Sequence, residues 1–78
     1  MKFNEQELHI SVPKKYAKPY AQKIKNILWT RFESTAEVED RSFDSDENAD
    51  IAIYFLSTND QCIQLIGLIN SYFGNILR

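Results

Sequence analysis

Six consecutive residues, Ile51-Ala52-Ile53-Tyr54-Phe55-Leu56, are apolar on both faces of any extended strand they form. Such a run needs neighbours on both edges and cover on at least one face, so it belongs in the middle of a sheet. The chain has 78 residues, enough for one domain spanning 1–78. A domain of that size buries only about 60% of the surface its unfolded chain exposes. Little volume is left for a deep pocket beside the core.

The other segments sort by period. Residues 6–12 alternate, with Leu8, Ile10 and Val12 on one face and Glu7, His9 and Ser11 on the other. Pro13 ends this half-buried strand, because proline cannot donate to a ladder. Over 14–32, Tyr16, Ala17, Tyr20, Ala21, Ile24, Ile27, Leu28 and Phe32 recur with helical period. Pro19 is tolerated only in a first turn, which puts the start of the regular helix at 18 or 19. Residues 34–42 alternate again, with a thin inward side of Ala36 and Val38 that suits an edge strand. Phe43 to Ala49 reads as an acidic hairpin loop. Thr58 with Gln61 fits a capping box, and Ser57 with Asp60 resembles one a residue earlier. A helix is expected from about 59 to 74 or beyond.

The element order is therefore β-α-β-β-α. A right-handed crossover places the doubly apolar third strand between the first and second. The expected fold is α+β: a two-layer sandwich with a three-stranded antiparallel sheet, order 1-3-2, and two helices on one face. This arrangement is ferredoxin-like, lacking the last strand.

Charge is segregated along the chain, although the net value is only −2. Residues 1–32 carry seven Lys/Arg against Glu5 and Glu7, whereas 33–60 carry nine Asp/Glu against Arg41. The acidic stretch offers Glu37, Glu39, Asp40, Asp44, Asp46, Glu47 and Asp50 as a surface for a cationic partner. The first helix offers Lys14, Lys15, Lys18 and Lys25 with Trp29, cations beside an aromatic platform of the kind nucleic-acid readers use. The negative overall charge weighs against that use.

No charged residue occurs from Gln61 to Leu77. If all of it were helical, its apolar positions would span roughly 220°, more than a stripe packed on one sheet needs. Ile63, Gly67, Leu68, Tyr72, Gly74 and Leu77 are the expected dimer or partner interface on that flank. Gln64, Asn70, Ser71 and Asn75 interrupt the stretch, which argues against a membrane span.

Candidate chemistry is sparse. His9, the single histidine, stands parallel to Glu7 and Ser11 on one strand face, whereas a catalytic relay needs groups converging from different elements. Cys62, the single cysteine, lies on the core side of a first helical turn and permits no intrachain disulfide. Asp44, Asp46, Asn48 and Asp50 alternate as in a calcium loop, but Ala49 and Phe55 stand where that loop needs Gly and Glu. No phosphate loop, paired-cysteine motif or nucleophile elbow occurs, so no enzyme activity, cofactor or metal is expected. The isolated thiol and the Glu5 carboxylate near the start point to a cytoplasmic protein, in host cytoplasm if phage-encoded. The expected function is a small non-enzymatic protein-binding module, an inhibitor or immunity-type protein of phage or mobile-element origin. The alternatives are a nucleic-acid-binding regulator and a structural subunit that dimerises through the last helix.

Overall fold

The doubly apolar run occupies the centre of a three-stranded antiparallel sheet. The structure, a computed structural model, describes residues 2–43 and 47–78. Strand β1 (Asn4–Pro13) leads through a 3-10 turn (Lys14–Tyr16) into helix α1 (Ala17–Phe32). Strands β2 (Ala36–Asp40) and β3 (Asn48–Ser57) and helix α2 (Asn59–Phe73) follow. The sheet order is β1-β3-β2, and both helices pack on one face. The expected arrangement is the observed one.

Pairing along β3 fixes every register. Ile53 lies between Leu8 on β1 and Val38 on β2, and Tyr54 between Glu7 and Glu37. Because side chains alternate, one β3 face sends Ile51, Ile53 and Phe55 into the core. Ile10 and Val12 join them from β1, Ile24 and Leu28 from α1, and Leu65 and Ile69 from α2. Val38 faces the same layer but stays 37% exposed at the β2 edge.

Helix ends follow local chemistry. Pro19 is the third residue of α1, where its missing N–H has no helical partner to lose, so the helix begins at Ala17, slightly ahead of expectation. At the other end Glu33 adopts the left-handed conformation (φ 53°, ψ 33°), its N–H donating to the Trp29 carbonyl. In α2 the capping box uses Thr58 and Gln61. The Gln61 N–H donates to Thr58 Oγ1 at 3.1 Å, and the Thr58 N–H donates to Gln61 Oε1 at 3.1 Å.

The last helix stops earlier than its apolar run. Gly74, at φ 79°, ends α2 after Phe73, in a conformation that a residue with a Cβ rarely adopts. The chain then turns back along the outer edge of β1. The Ser11 N–H donates to the Ile76 carbonyl at 2.8 Å, the Arg78 N–H donates to the His9 carbonyl at 2.9 Å, and Leu77 bridges to Ile10. This is where the fourth strand of a ferredoxin-like sheet would lie, here reduced to a single bridge. Expectation and structure therefore part at Gly74 and Leu77: neither belongs to a helical flank. Ile76 and Leu77 are half-buried and pack on the core, which narrows the apolar arc of α2.

Two substitutions test these ends by denaturant unfolding. Thr58→Ala should destabilise the domain by about 1 kcal/mol through loss of the cap. Glu33→Gly should stabilise it by about 0.5–1 kcal/mol, because glycine removes the left-handed strain at some cost in unfolded-state entropy.

Candidate functional site: the open face of the sheet

The face of the sheet opposite the helices is built from the alternate residues of all three strands. β1 contributes Glu5, Glu7, His9 and Ser11, β3 contributes Asp50, Ala52, Tyr54 and Leu56, and β2 contributes Glu37 and Glu39. Adjacent strands lie about 4.8 Å apart, so Glu7 and Glu37, which flank Tyr54, are about 10 Å apart across the sheet. Five carboxylates thus share one surface with two arginines, Arg41 and Arg78.

Both arginines sit toward one end of that surface. Arg41 Nε lies 3.5 Å from Glu39 Oε1, and its guanidinium stands 5.7 Å from the Tyr54 ring centroid and donates to the Tyr54 hydroxyl. That hydroxyl in turn donates to Glu39 Oε2 at 3.3 Å. Desolvation raises the pKa of the Tyr54 phenol, with Arg41 pulling the other way, so the phenol stays a neutral donor. Arg78 Nη1 lies 2.9 Å from Asp50 Oδ2. His9 Nε2 contacts Glu7 Oε2 at 2.6 Å. Glu5 and Glu37 have no ion-pair partner among the described residues.

At that Glu5 and Glu37 end the surface runs into an open hollow of about 1000 Å³. Phe3, Phe32, Phe55 and Leu56 give it apolar walls, and Glu5, Glu33 and Glu37 rim it. Phe3 is 58% and Leu56 55% exposed. Among the described residues no lysine or arginine lines it.

The acidic residues read from the sequence are only partly gathered here. Glu37, Glu39 and Asp50 lie on the open face. Asp40 belongs to the opposite side, paired with Ile51, where its carboxylate accepts from the Ser42 N–H at 2.9 Å. Glu47 is exposed just before β3. Asp44 and Asp46, and with them the start of the calcium-like pattern, lie outside the described residues. Glu5 and Glu7 are the members that reasoning along the chain left out of this surface. Only the β1-β3-β2 register brings them onto the face that carries Glu37 and Glu39, although alternation with Leu8 already placed Glu7 on the polar side.

The other candidates separate. Ile63 and Gly67 are exposed on α2, Leu68 is half-buried, and Tyr72 receives a 3.5 Å contact from Arg31 Nη2 beside α1. With Gly74 at the helix end and Leu77 on β1, the six positions form no single flank. On α1, Lys18, Lys25 and Trp29 share one stripe, and Trp29 is 59% exposed. Lys14, in the preceding turn, donates to the Phe43 carbonyl at 3.0 Å, and Lys15 stands 5.0 Å from the Tyr16 ring centroid.

Cys62 is partly buried and burial raises the pKa of its thiol, so it stays protonated and a poor nucleophile. Among the described residues no three His, Cys, Asp or Glu side chains come together as a metal site requires. No helix among them is long and apolar enough to cross a membrane.

One titration follows from the hairpin neck. Hydrogen bonds from the Ser42 side chain and backbone hold the Asp40 carboxyl below its ordinary value, with Lys14 adding a smaller pull. A depressed folded-state pKa contributes stability that is present above the unfolded value of 3.8 and is lost as pH falls through the folded one. Asp40→Asn should therefore flatten the stability–pH curve below about pH 4. Unfolding of both proteins over that range measures it.

Compared with protein-family models, curated proteins and solved structures, the chain gives no significant match to any of them.

Proposed function

We propose that this chain is a small stoichiometric binder of another protein, presenting the open face of its sheet to a cationic surface. The observation that carries the reading is the sharing of one face by Glu5, Glu7, Glu37, Glu39 and Asp50, drawn from three strands. A rigid sheet holds these charges at fixed spacing, so little ordering cost accompanies binding. Complementary charge of this kind speeds encounter and selects the partner. The exposed Phe3 and Leu56 beside Glu5 and Glu37 add apolar area at the end where the carboxylates are least neutralised. An inhibitor or immunity-type role suits such a surface, because occupying a partner's cationic groove is itself the output.

The reading is non-catalytic. His9 is held by Glu7 on the same strand, and the Cys62 thiol is protonated. A dimer through α2 has less to recommend it, since the six positions expected to form that contact point several ways. A nucleic-acid reading keeps one specific support, the exposed Trp29 in line with Lys18 and Lys25. It requires retention on single-stranded nucleic acid that falls steeply with salt.

The partner is to be identified by co-purification from the native cell and its affinity measured. Glu37→Lys/Glu39→Lys, with the fold checked by circular dichroism, should weaken that affinity about tenfold or more and reduce its salt dependence. Lys18→Glu/Lys25→Glu should leave it unchanged. The opposite pattern would move the site to α1.

A further inference from the structure

Among the described residues, only half of the outer edge of β1 is covered. The Ser11 N–H and the His9 carbonyl point outward to Ile76 and Arg78. Backbone groups of alternate residues point the same way, and the β1 register to β3 runs without a bulge. Glu5 and Glu7 therefore also turn their N–H and C=O groups outward, and these meet no strand among the described residues.

The helix above this edge is uncovered along the same stretch. Asn59, Ile63, Ile66 and Asn70 follow one another along one line of α2. Asn59 Oδ1 accepts from Asn4 Nδ2 at 3.2 Å and from Gln6 Nε2 at 3.4 Å, which places the start of that line over the start of β1. On it Ile63 is 67% exposed and Ile66 half-buried. A strand laid against Glu5 and Glu7 would bring one set of side chains under these isoleucines and the other beside the two carboxylates.

We infer that this half-edge is a strand-addition site for an extended segment of a partner protein that alternates apolar and basic residues. The protein's own tail sets the pattern. Leu77 bridges to Ile10 and packs on the core, while Arg78 carries its guanidinium to Asp50. An added strand continuing past Arg78 in the same direction repeats it, with an apolar residue toward Ile66 and a lysine or arginine toward Glu7. Main-chain hydrogen bonds supply affinity in this mode and alternate side chains supply selectivity. A second copy is a poor occupant. Two β1 edges paired antiparallel would set Glu5 and Glu7 of each copy against the same carboxylates of the other, and like charges directly opposite are destabilising. The inference rests on reading the chain as a protein binder, and it names an edge where that reading named a face.

Amide hydrogen exchange with a synthetic peptide of alternating valine and lysine tests it. The peptide should slow exchange of the Glu5 and Glu7 amides about tenfold or more. A valine–glutamate peptide, and a valine–lysine peptide N-methylated on alternate residues, should not. Glu37→Lys/Glu39→Lys should keep this protection even though it disables the open face, so each idea can fail alone. Glu7→Pro removes one edge N–H and should weaken peptide binding more than Glu7→Gln, which keeps it. Protection at β2 in place of β1, equal effects of the methylated peptide, or no protection would overturn the inference. So would protection of Glu5 and Glu7 that rises with protein concentration in the absence of peptide, which would assign the edge to a second copy.

Discussion

The fold depends on one strand being paired along both edges while burying one of its faces. β3 satisfies its backbone against β1 and β2 together, and it places Ile51, Ile53 and Phe55 under the two helices. A small domain has few ways to hide so apolar a segment, and the central position removes its edges from water as well. The register then dictates everything on the reverse side. Tyr54 lies between Glu7 of β1 and Glu37 of β2, and Ala52 is fully buried with His9 and Glu39 as its cross-strand neighbours.

Charge segregation along the chain becomes segregation in space through that pairing. The first strand and the second belong to different charge regimes in sequence, one basic overall and one acidic. On the sheet they contribute the same kind of residue to the same face. The lysines of the first thirty-two residues lie mostly on the turn and helix that follow β1, so they stay with the helical layer. The result is a two-sided domain, with carboxylates on the sheet and cations on the first helix.

Much of the fold was legible because periodicity and punctuation agreed. Alternation marked β1 and β2, the apolar run marked β3, and Thr58 with Gln61 marked the start of α2. The end of α2 was less legible, because apolar residues continue past Gly74 without a break in composition. Gly74 itself carried the signal: followed by Asn75 and two aliphatic residues, it suits a helix stop leading into an extended tail. The candidate surface was half legible. Glu37, Glu39 and Asp50 stood out as an acidic stretch, whereas Glu5 and Glu7 needed the register. The hollow beside Phe3 and Leu56 depends on the start of β1, the α1–β2 connection and the end of β3 meeting in space, and no local pattern announces it.

The central claim is that residues 76–78 cover one half of the β1 edge and that no other strand among the described residues covers the other half. Native-state amide hydrogen exchange of the isolated protein reads this directly. The account predicts protected amides at Ser11 and Arg78 and fast exchange at Glu5 and Glu7. Uniform protection along the outer edge of β1, or an unprotected Arg78 amide, would contradict it.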